Sequence, residues 1–382
     1  MRKIFLAIAL TLGVLQACRT PYDPEAPSEK TSFLVVEGYL DSNGLRSELK
    51  LSRSVPLDSL TAFQPETGAS VFLSSESGES FGFVEAEEGS YWFEADLLES
   101  KFYTLEIVLR NGDRFSSDPM KPIQTPDIID AGFLRDEEGV EVFVTTQGDE
   151  NADDFLWTFD ETWIYRPRIR TNFIYDPAIN DVRTRTQAEQ TALCFRSEES
   201  PDILLETSSR YEEQVVFRQT ITEIPTGDER IMERYSILIS QKALEQDAVK
   251  FWEILKKNTE DIGSIFSPLP SLIGGNIHSV EDASIPVIGQ VSLGVIRQRR
   301  VYIDLVDVSP WNYIDPTFND CVIEEEAVMI PDYGSVFSGG AIVPARPLMV
   351  GTTIVGYFPV TRRCSDCSLY ASPVTPDFWE DD

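Results

Sequence analysis

Between Leu45 and Leu51 the apolar residues Leu45, Leu49 and Leu51 alternate with the charged residues Arg46, Glu48 and Lys50. An extended segment written this way has one apolar and one charged face, the mark of a half-buried strand. A chain that repeats such short pieces between turns can bury its apolar faces only by stacking sheets or covering them with helices. Further strand-length pieces run from Phe33 to Leu40, Ala69 to Leu73, Phe81 to Glu85, Tyr91 to Glu94, Tyr103 to Leu109 and Arg114 to Ser117. Turn signals separate them, Asp41-Ser42-Asn43-Gly44 and Asn111-Gly112 among them. Residues 32–121 are therefore expected to form an N-terminal β-sandwich of immunoglobulin-like or transthyretin-like type.

Pro119, Pro122 and Pro126 between Asp118 and Asp127 mark a domain boundary. Strand signals resume at Val140 to Thr145, Phe155 to Phe159, Trp163 to Tyr165, Val215 to Thr220 and Tyr235 to Ile239, and again at Pro286 to Val295, Arg300 to Val306 and Thr352 to Tyr357. The polar stretch Arg166 to Gln190 reads as a long loop or insertion. One amphipathic helix is predicted near 241–258, with Ser240 as its cap, Leu244, Ala248, Phe251 and Leu255 as an apolar stripe packed on a sheet, and Gly263 as its stop. The fold class is mainly β: the sandwich, then a larger β-rich domain over 122–360 with one prominent helix, then a cysteine-containing tail over 361–382.

The chain opens with Met1-Arg2-Lys3 and an apolar run from Ile4 to Leu15. That run is short of the ~20 residues of a spanning helix, and the layout is that of a signal peptide over residues 1–17. Leu15-Gln16-Ala17-Cys18 has the order of a lipobox, which makes Cys18 the lipidation site and the bilayer the first partner. Each buried methylene of an acyl chain contributes ~0.8 kcal/mol, so several chains anchor durably. Residues 18–31, rich in proline and polar residues, read as a tether.

Export puts the remaining cysteines, Cys194, Cys321, Cys364 and Cys367, in an oxidising compartment, where four suggest two disulfides with three possible connectivities. A Cys364–Cys367 bridge would close too short a loop to tether the tail, so each is expected to reach a distant partner. A redox pair lacks the βαβ context, and zinc lacks further ligands. The net charge of −32, from 32 basic and 64 acidic residues, argues against nucleic acid or anionic lipid as a partner.

No catalytic constellation stands out, and no catalytic residue, metal or cofactor is assigned. His278, the single histidine, follows a Gly-Gly turn with no nucleophile elbow before it. Asp149 to Asp154 offers hard oxygens for calcium but lacks the glycine and terminal glutamate of an EF-hand loop. Trp163, Tyr165, Trp311, Tyr313 and Tyr333 are candidate glycan- or peptide-binding aromatics, set against the commoner use of such residues in cores. Phe378 and Trp379, near the charged terminus, are expected to dock, preferably on the chain's own body.

Several segments together resemble a family of Bacteroidota outer-membrane lipoproteins known as a domain of unknown function of the DUF4249 type. They are Leu34-Val35-Val36-Glu37-Gly38, the Ser116-Ser117 to Pro126 junction, Phe251-Trp252 with Leu255, Gly263-Ser264-Ile265-Phe266, Gly275-Asn276-Ile277, Arg300-Val301, and the ending from Cys364-Ser365-Asp366-Cys367 to Phe378-Trp379. The resemblance implies a two-part, mostly β lipoprotein of the outer membrane, whose relatives tend to be encoded beside TonB-dependent receptors. A receptor barrel is therefore the expected protein partner, in a non-enzymatic accessory role in nutrient uptake. The alternatives are a free-standing surface module for glycan or protein and, third, a hydrolase. This chain departs from the pattern after the paired cysteines, where Ser368-Leu369-Tyr370-Ala371 stands in place of glycines. If the lipid is the anchor, Cys18→Ala moves the protein to the soluble fraction, and fractionation of washed membranes checks it.

Overall fold

The computed structural model describes residues 32–55, 64–260, 274–313 and 318–380. The signal segment, Cys18, the tether and the helix stop at Gly263 lie outside the described residues.

The sandwich forms where the alternation places it. One sheet is built on the antiparallel pair Leu34–Asp41 and Ser47–Arg53 and continues through Ser90–Phe93 to Val84–Glu87. The facing sheet runs through Arg114–Ser117, Tyr103–Val108, Ser70–Ser75 and Ser80–Gly82. Leu34, Val36, Leu49, Leu51, Leu73, Leu105 and Ile107 fill the space between them.

The assignment of everything after residue 121 to the second domain needs correction. Ile277–Ser279 pairs with Arg114–Ser117, and Val287–Ile288 and Val291–Gly294 lie parallel to Leu34–Asp41, so residues 277–294 complete the first sandwich. The sandwich is discontinuous in sequence, and local signals cannot show that. The motif Gly275-Asn276-Ile277 explains itself here. A Cβ at Gly275 would lie 1.5 Å from the Gly289 carbonyl oxygen. The Asn276 side chain donates to the Val291 carbonyl (2.8 Å) and accepts from its N–H (3.0 Å), while Ile277 enters the core.

The second body stacks the sheet Ile128–Arg135, Gly139–Gln147 and Val215–Pro225 on a longer one formed by Cys194–Glu199, Asp154–Tyr165, Arg234–Ala243 and Ile296–Asp304, with Leu204–Thr207 beside it. Its core includes Trp157, Phe159, Trp163, Tyr235, Ile237 and Ile303. The two expected strands at 155–159 and 163–165 are one strand, Asp154–Tyr165. The expected loop at 166–190 contains the hairpin Phe173–Asp176 and Asp181–Thr184, against which Tyr333, Phe337 and Tyr357 pack.

The helix occupies Gln246–Glu260, not 241–258. Ser240 is not its cap: residues up to Ala243 belong to a strand, because Gln241 is fully buried and bonded to the Trp157 indole, the Pro126 carbonyl and the Thr146 hydroxyl. Of the expected stripe, Ala248 and, just before the helix, Leu244 pack against Leu156 and Tyr39, where Val249 and Trp252 join them in place of Phe251 and Leu255. Disulfides join Cys194 to Cys367 and Cys321 to Cys364, so each tail cysteine reaches a distant partner.

The passage between the bodies is pinned. Ile123 exchanges backbone hydrogen bonds with Leu293 and Val295, and the Thr125 hydroxyl accepts from the Ala243 N–H. The buried Asp41 carboxylate accepts from the N–H groups of Asn43, Leu45 and Ile296, tying the first hairpin to the start of a strand in the second body. Asp41→Ala strands the Ile296 N–H and is expected to cost about 2 kcal/mol, measured as a lower denaturation midpoint with an unchanged denaturant slope.

A cleft between the sandwich and the second sheet

The strand Asp154–Tyr165 presents two unlike faces. Phe155, Trp157, Phe159 and Trp163 point into the core, while Leu156, Thr158, Asp160 and Thr162 point the other way. Their cross-strand partners Lys242, Ser240, Leu238 and Ser236, and beyond them Ile296, Gln298, Arg300 and Tyr302, extend this second face across the sheet. It is held by side-chain hydrogen bonds: Lys242 to Thr158 (3.0 Å), Gln298 to Ser240 (3.0 Å), Arg300 to Ser236 (2.8 Å) and Thr162 with Ser197 (2.9 Å). The helix covers one end through Ala248 and Trp252, with Leu244 just before it, and the tail covers the other.

Between the helix end of this face and the sandwich lies a cleft of about 270 Å³. Glu37, Tyr39 and Glu48 line it from the sandwich, and Leu156, Lys242, Trp252 and Ile296 from the second body. It shares Glu37, Glu48 and Lys50 with a cavity of about 620 Å³ that reaches Trp92 and Glu199. Glu199 in turn borders a third cavity, of about 560 Å³, beside Glu161, Trp163 and Arg230. The three hollows thus form one run. The indole N–H groups of Trp92 and Trp163, which line it, are buried without an acceptor among the described residues.

Lys242 is the singular group of the first hollow. Its only acceptor among the described residues is the Thr158 hydroxyl, and its Nζ lies 5.9 Å from the Tyr39 ring centroid. Burial pushes its ammonium down from 10.5 to about 8, against the field of Asp160, which favours the charged form. Asp160 is itself held above the usual carboxylate range by burial and by Glu199, with Lys242 and Arg300 pulling the other way. At the mouth, Glu48 is paired with Lys50 (3.5 Å) and accepts from the Ser90 hydroxyl, and Lys50 is the cross-strand partner of Glu37. Tyr39 donates to the Ala243 carbonyl, and burial keeps its hydroxyl protonated far above its ordinary range.

The candidate aromatics have other uses. Trp163 belongs to the core of the second body, and its edge borders the third hollow. Tyr165 is buried and meets Tyr370 edge-on at 6.2 Å, which places Tyr370, in the segment where glycines were expected, as packing. Trp311 is buried and donates to the Asp228 carbonyl, Tyr313 packs on the same core, and Tyr333 is buried beside Phe337 and Tyr357. These five were offered as surface binders; four are buried, and Tyr313 is half-buried. The tail folds back on the chain's own body as expected, with Trp379 half-buried, but Phe378 stays exposed. The Arg300 guanidinium lies 3.7 Å from the Phe378 ring centroid, Tyr302 donates to the Phe378 carbonyl (2.7 Å), and Trp379 meets Phe195 edge-on at 4.9 Å.

His278 stands on an edge strand rather than a loop, exposed and bonded to Asp118 (3.2 Å). The Asp149 carboxylate caps its own turn through the N–H groups of Asn151 and Ala152. Among the described residues no group of three or more His, Cys, Asp or Glu side chains is placed to hold a metal, and no helix is long and apolar enough to cross a membrane.

Two segments that carry the family resemblance, Leu34 to Gly38 and Phe251-Trp252, meet at this cleft. The family model described as Domain of unknown function (DUF4249) matches residues 19–300. The chain belongs to the DUF4249 family. No curated protein matches it. Among solved structures, a segment of two fibronectin type-III domains from chicken tenascin is 11% identical, covering 56% of this chain and 99% of its own, with a TM-score of 0.17. A DUF4785 family protein from Legionella pneumophila is 8% identical, covering 56% and 54%, also with a TM-score of 0.17.

In this DUF4249 chain the sequence drew notice to Glu37 and Trp252 through the resemblance and to Glu48 through the alternating strand, but it offered none of these, nor Lys242 or Tyr39, as a binding residue. Lys242 fell inside the misplaced helix start. Ser240 and Lys242, alternating with the buried Ile239, Gln241 and Ala243 at the end of a strand, are the signal that the correct boundary would have exposed. A charged lysine in this position is a burden to the folded state at pH 7. Because its folded pKa is depressed, that burden is relieved as pH rises from about 8 to 10.5, where both states lose the proton. Lys242→Met is therefore expected to raise the melting temperature at pH 7 by several degrees, with the gain shrinking toward pH 10; melting curves across that range check it.

Proposed function

We propose that this protein is a lipid-anchored, non-enzymatic outer-membrane protein that receives a small ligand in the cleft between its two bodies and serves as an accessory to a TonB-dependent receptor barrel in nutrient uptake. The observation that carries the reading is the cleft itself. Such sites favour the junction between domains and combine apolar walls with a few convergent polar groups, as Tyr39, Leu156, Trp252 and Ile296 do around Lys242. The backbone exchange at Ile123 and the Asp41 bonds brace both walls, which suits a preformed receptor surface. The lipobox at Cys18 supports anchoring, and the family resemblance supports the barrel as partner.

The test is purification from native membranes in mild detergent. A receptor barrel that stays with the protein through salt washing is the expected result. Recovery of the isolated monomer would sink the accessory role and favour the free-standing surface module, for which glycan or protein is then the ligand. Turnover of any substrate offered to the cleft would overturn the non-enzymatic reading.

A further inference from the structure

We propose that the cleft at Lys242 takes a small monocarboxylate with an apolar body, the carboxylate meeting the lysine ammonium and the body lying among Tyr39, Leu156, Trp252 and Ile296. This rests on the reading of the cleft as a ligand site and names the ligand's chemistry.

The ammonium has three donors and among the described residues one acceptor, the Thr158 hydroxyl. No carboxylate among the described residues lies within ion-pair distance of it, since Asp160 acts only through its field. Lys242 is half-buried, and a charged group drawn partly out of water gains from a partner. The missing partner is an acceptor, and an anionic one gains most because charge-assisted hydrogen bonds are the strong ones. Three groups face the lysine from the sandwich side of the cleft, Glu37, Glu48 and Lys50, with Tyr39 neutral beside it. Both glutamates are exposed, and Lys50 stands against both, as the ion-pair partner of Glu48 and the cross-strand partner of Glu37. The unmet charge inside is positive and the residual charge at the mouth is negative. That arrangement admits one carboxylate and repels a second negative charge placed outward. The volume, about 270 Å³, sits near the lower end for small-molecule sites, which start at roughly 300 Å³.

The full chain in detergent is titrated with phenylacetate, phenethylamine and 2-phenylethanol, read by tryptophan fluorescence. In parallel, lysines carrying isotopically labelled methyl groups report the Lys242 titration by NMR. The expected result is binding of phenylacetate in preference to the other two and a rise of the Lys242 pKa on binding. Affinity should fall about tenfold per pH unit above pH 8, because the complex needs the proton that the free protein has lost. Lys242→Gln should weaken phenylacetate at least tenfold, and Lys242→Arg should retain part of the binding. The wild-type NMR titration decides the matter even if a variant fails to fold. Equal or tighter binding of the amine or the alcohol would overturn the carboxylate while leaving the cleft a ligand site. Binding of phenylacetate that is unchanged by pH or by Lys242→Gln would also overturn it. Binding of none of the three, with the Lys242 pKa unmoved, would overturn the carboxylate and the cleft reading together.

Discussion

The parallel pairing of Val291–Gly294 against Leu34–Asp41 is the contact on which the arrangement depends. It brings a late piece of the chain back to the first strand and makes the sandwich a product of two segments far apart in sequence. Among the described residues the chain passes outward from the sandwich to the second body at Ile123 and again at Val295, and these two passages are adjacent and hydrogen-bonded to each other. A single proline-rich linker would leave the bodies free to move. Two mutually bonded crossings, with the Asp41 carboxylate reaching the Ile296 N–H beside them, brace the junction. Loop closure over so long a separation is entropically costly. It is offset by the apolar burial of Val287, Val291 and Leu293 in the sandwich core.

That fixed junction gives the polar face of the second sheet its role. A sheet with one apolar face on a core ordinarily turns its other face to water. Here that face is partly enclosed by the sandwich, the helix and the tail, so its side chains satisfy one another instead. Thr162 bonds with Ser197, Gln298 with Ser240 and Arg300 with Ser236. Lys242 is the cation of this face at the place where the enclosure opens into the cleft, with one acceptor among the described residues. Stability alone would favour an apolar residue there, since desolvating a charge is costly. Sites that sacrifice stability in this way are where function concentrates.

How much of this was legible in the sequence follows from the range of the interactions concerned. Strands written by alternation, such as Ser47–Arg53 and Arg114–Ser117, were readable because period two is local. So was the behaviour of Cys364 and Cys367, whose close spacing limits what a mutual bridge could do. The return of residues 277–294 was not readable, since nothing in Val291 to Gly294 names its partner. The helix start was misplaced because Leu244 and Ala248 fit a helical stripe, whereas the burial of Gln241 is fixed by Trp157, Pro126 and Thr146, all remote in sequence. The aromatics offered as binders turned out mainly to build cores, as large side chains usually do. The cleft was hidden for the same reason as the fold: most of its residues lay in stretches read as strands or helix, but its walls come from six separated stretches, and no local signal brings them together.

The tail shows how covalent and non-covalent constraints combine. Residues 361–380 contain few apolar side chains, and Phe378 with Trp379 would bury too little surface to order the segment unaided. The Cys194–Cys367 bridge removes much of that cost by fixing the segment's start on the strand Cys194–Glu199, next to the Phe195 ring that Trp379 meets. A hydrogen bond from Tyr302 and the Arg300 guanidinium stacked on Phe378 then complete the docking at the far end of the polar face. The face is thus closed by a helix at one end and by a disulfide-held latch at the other. Arg300 is stacked on the latch, whereas Lys242, bonded among the described residues to Thr158, lines the cleft, so it is the cation that this face turns toward the cleft.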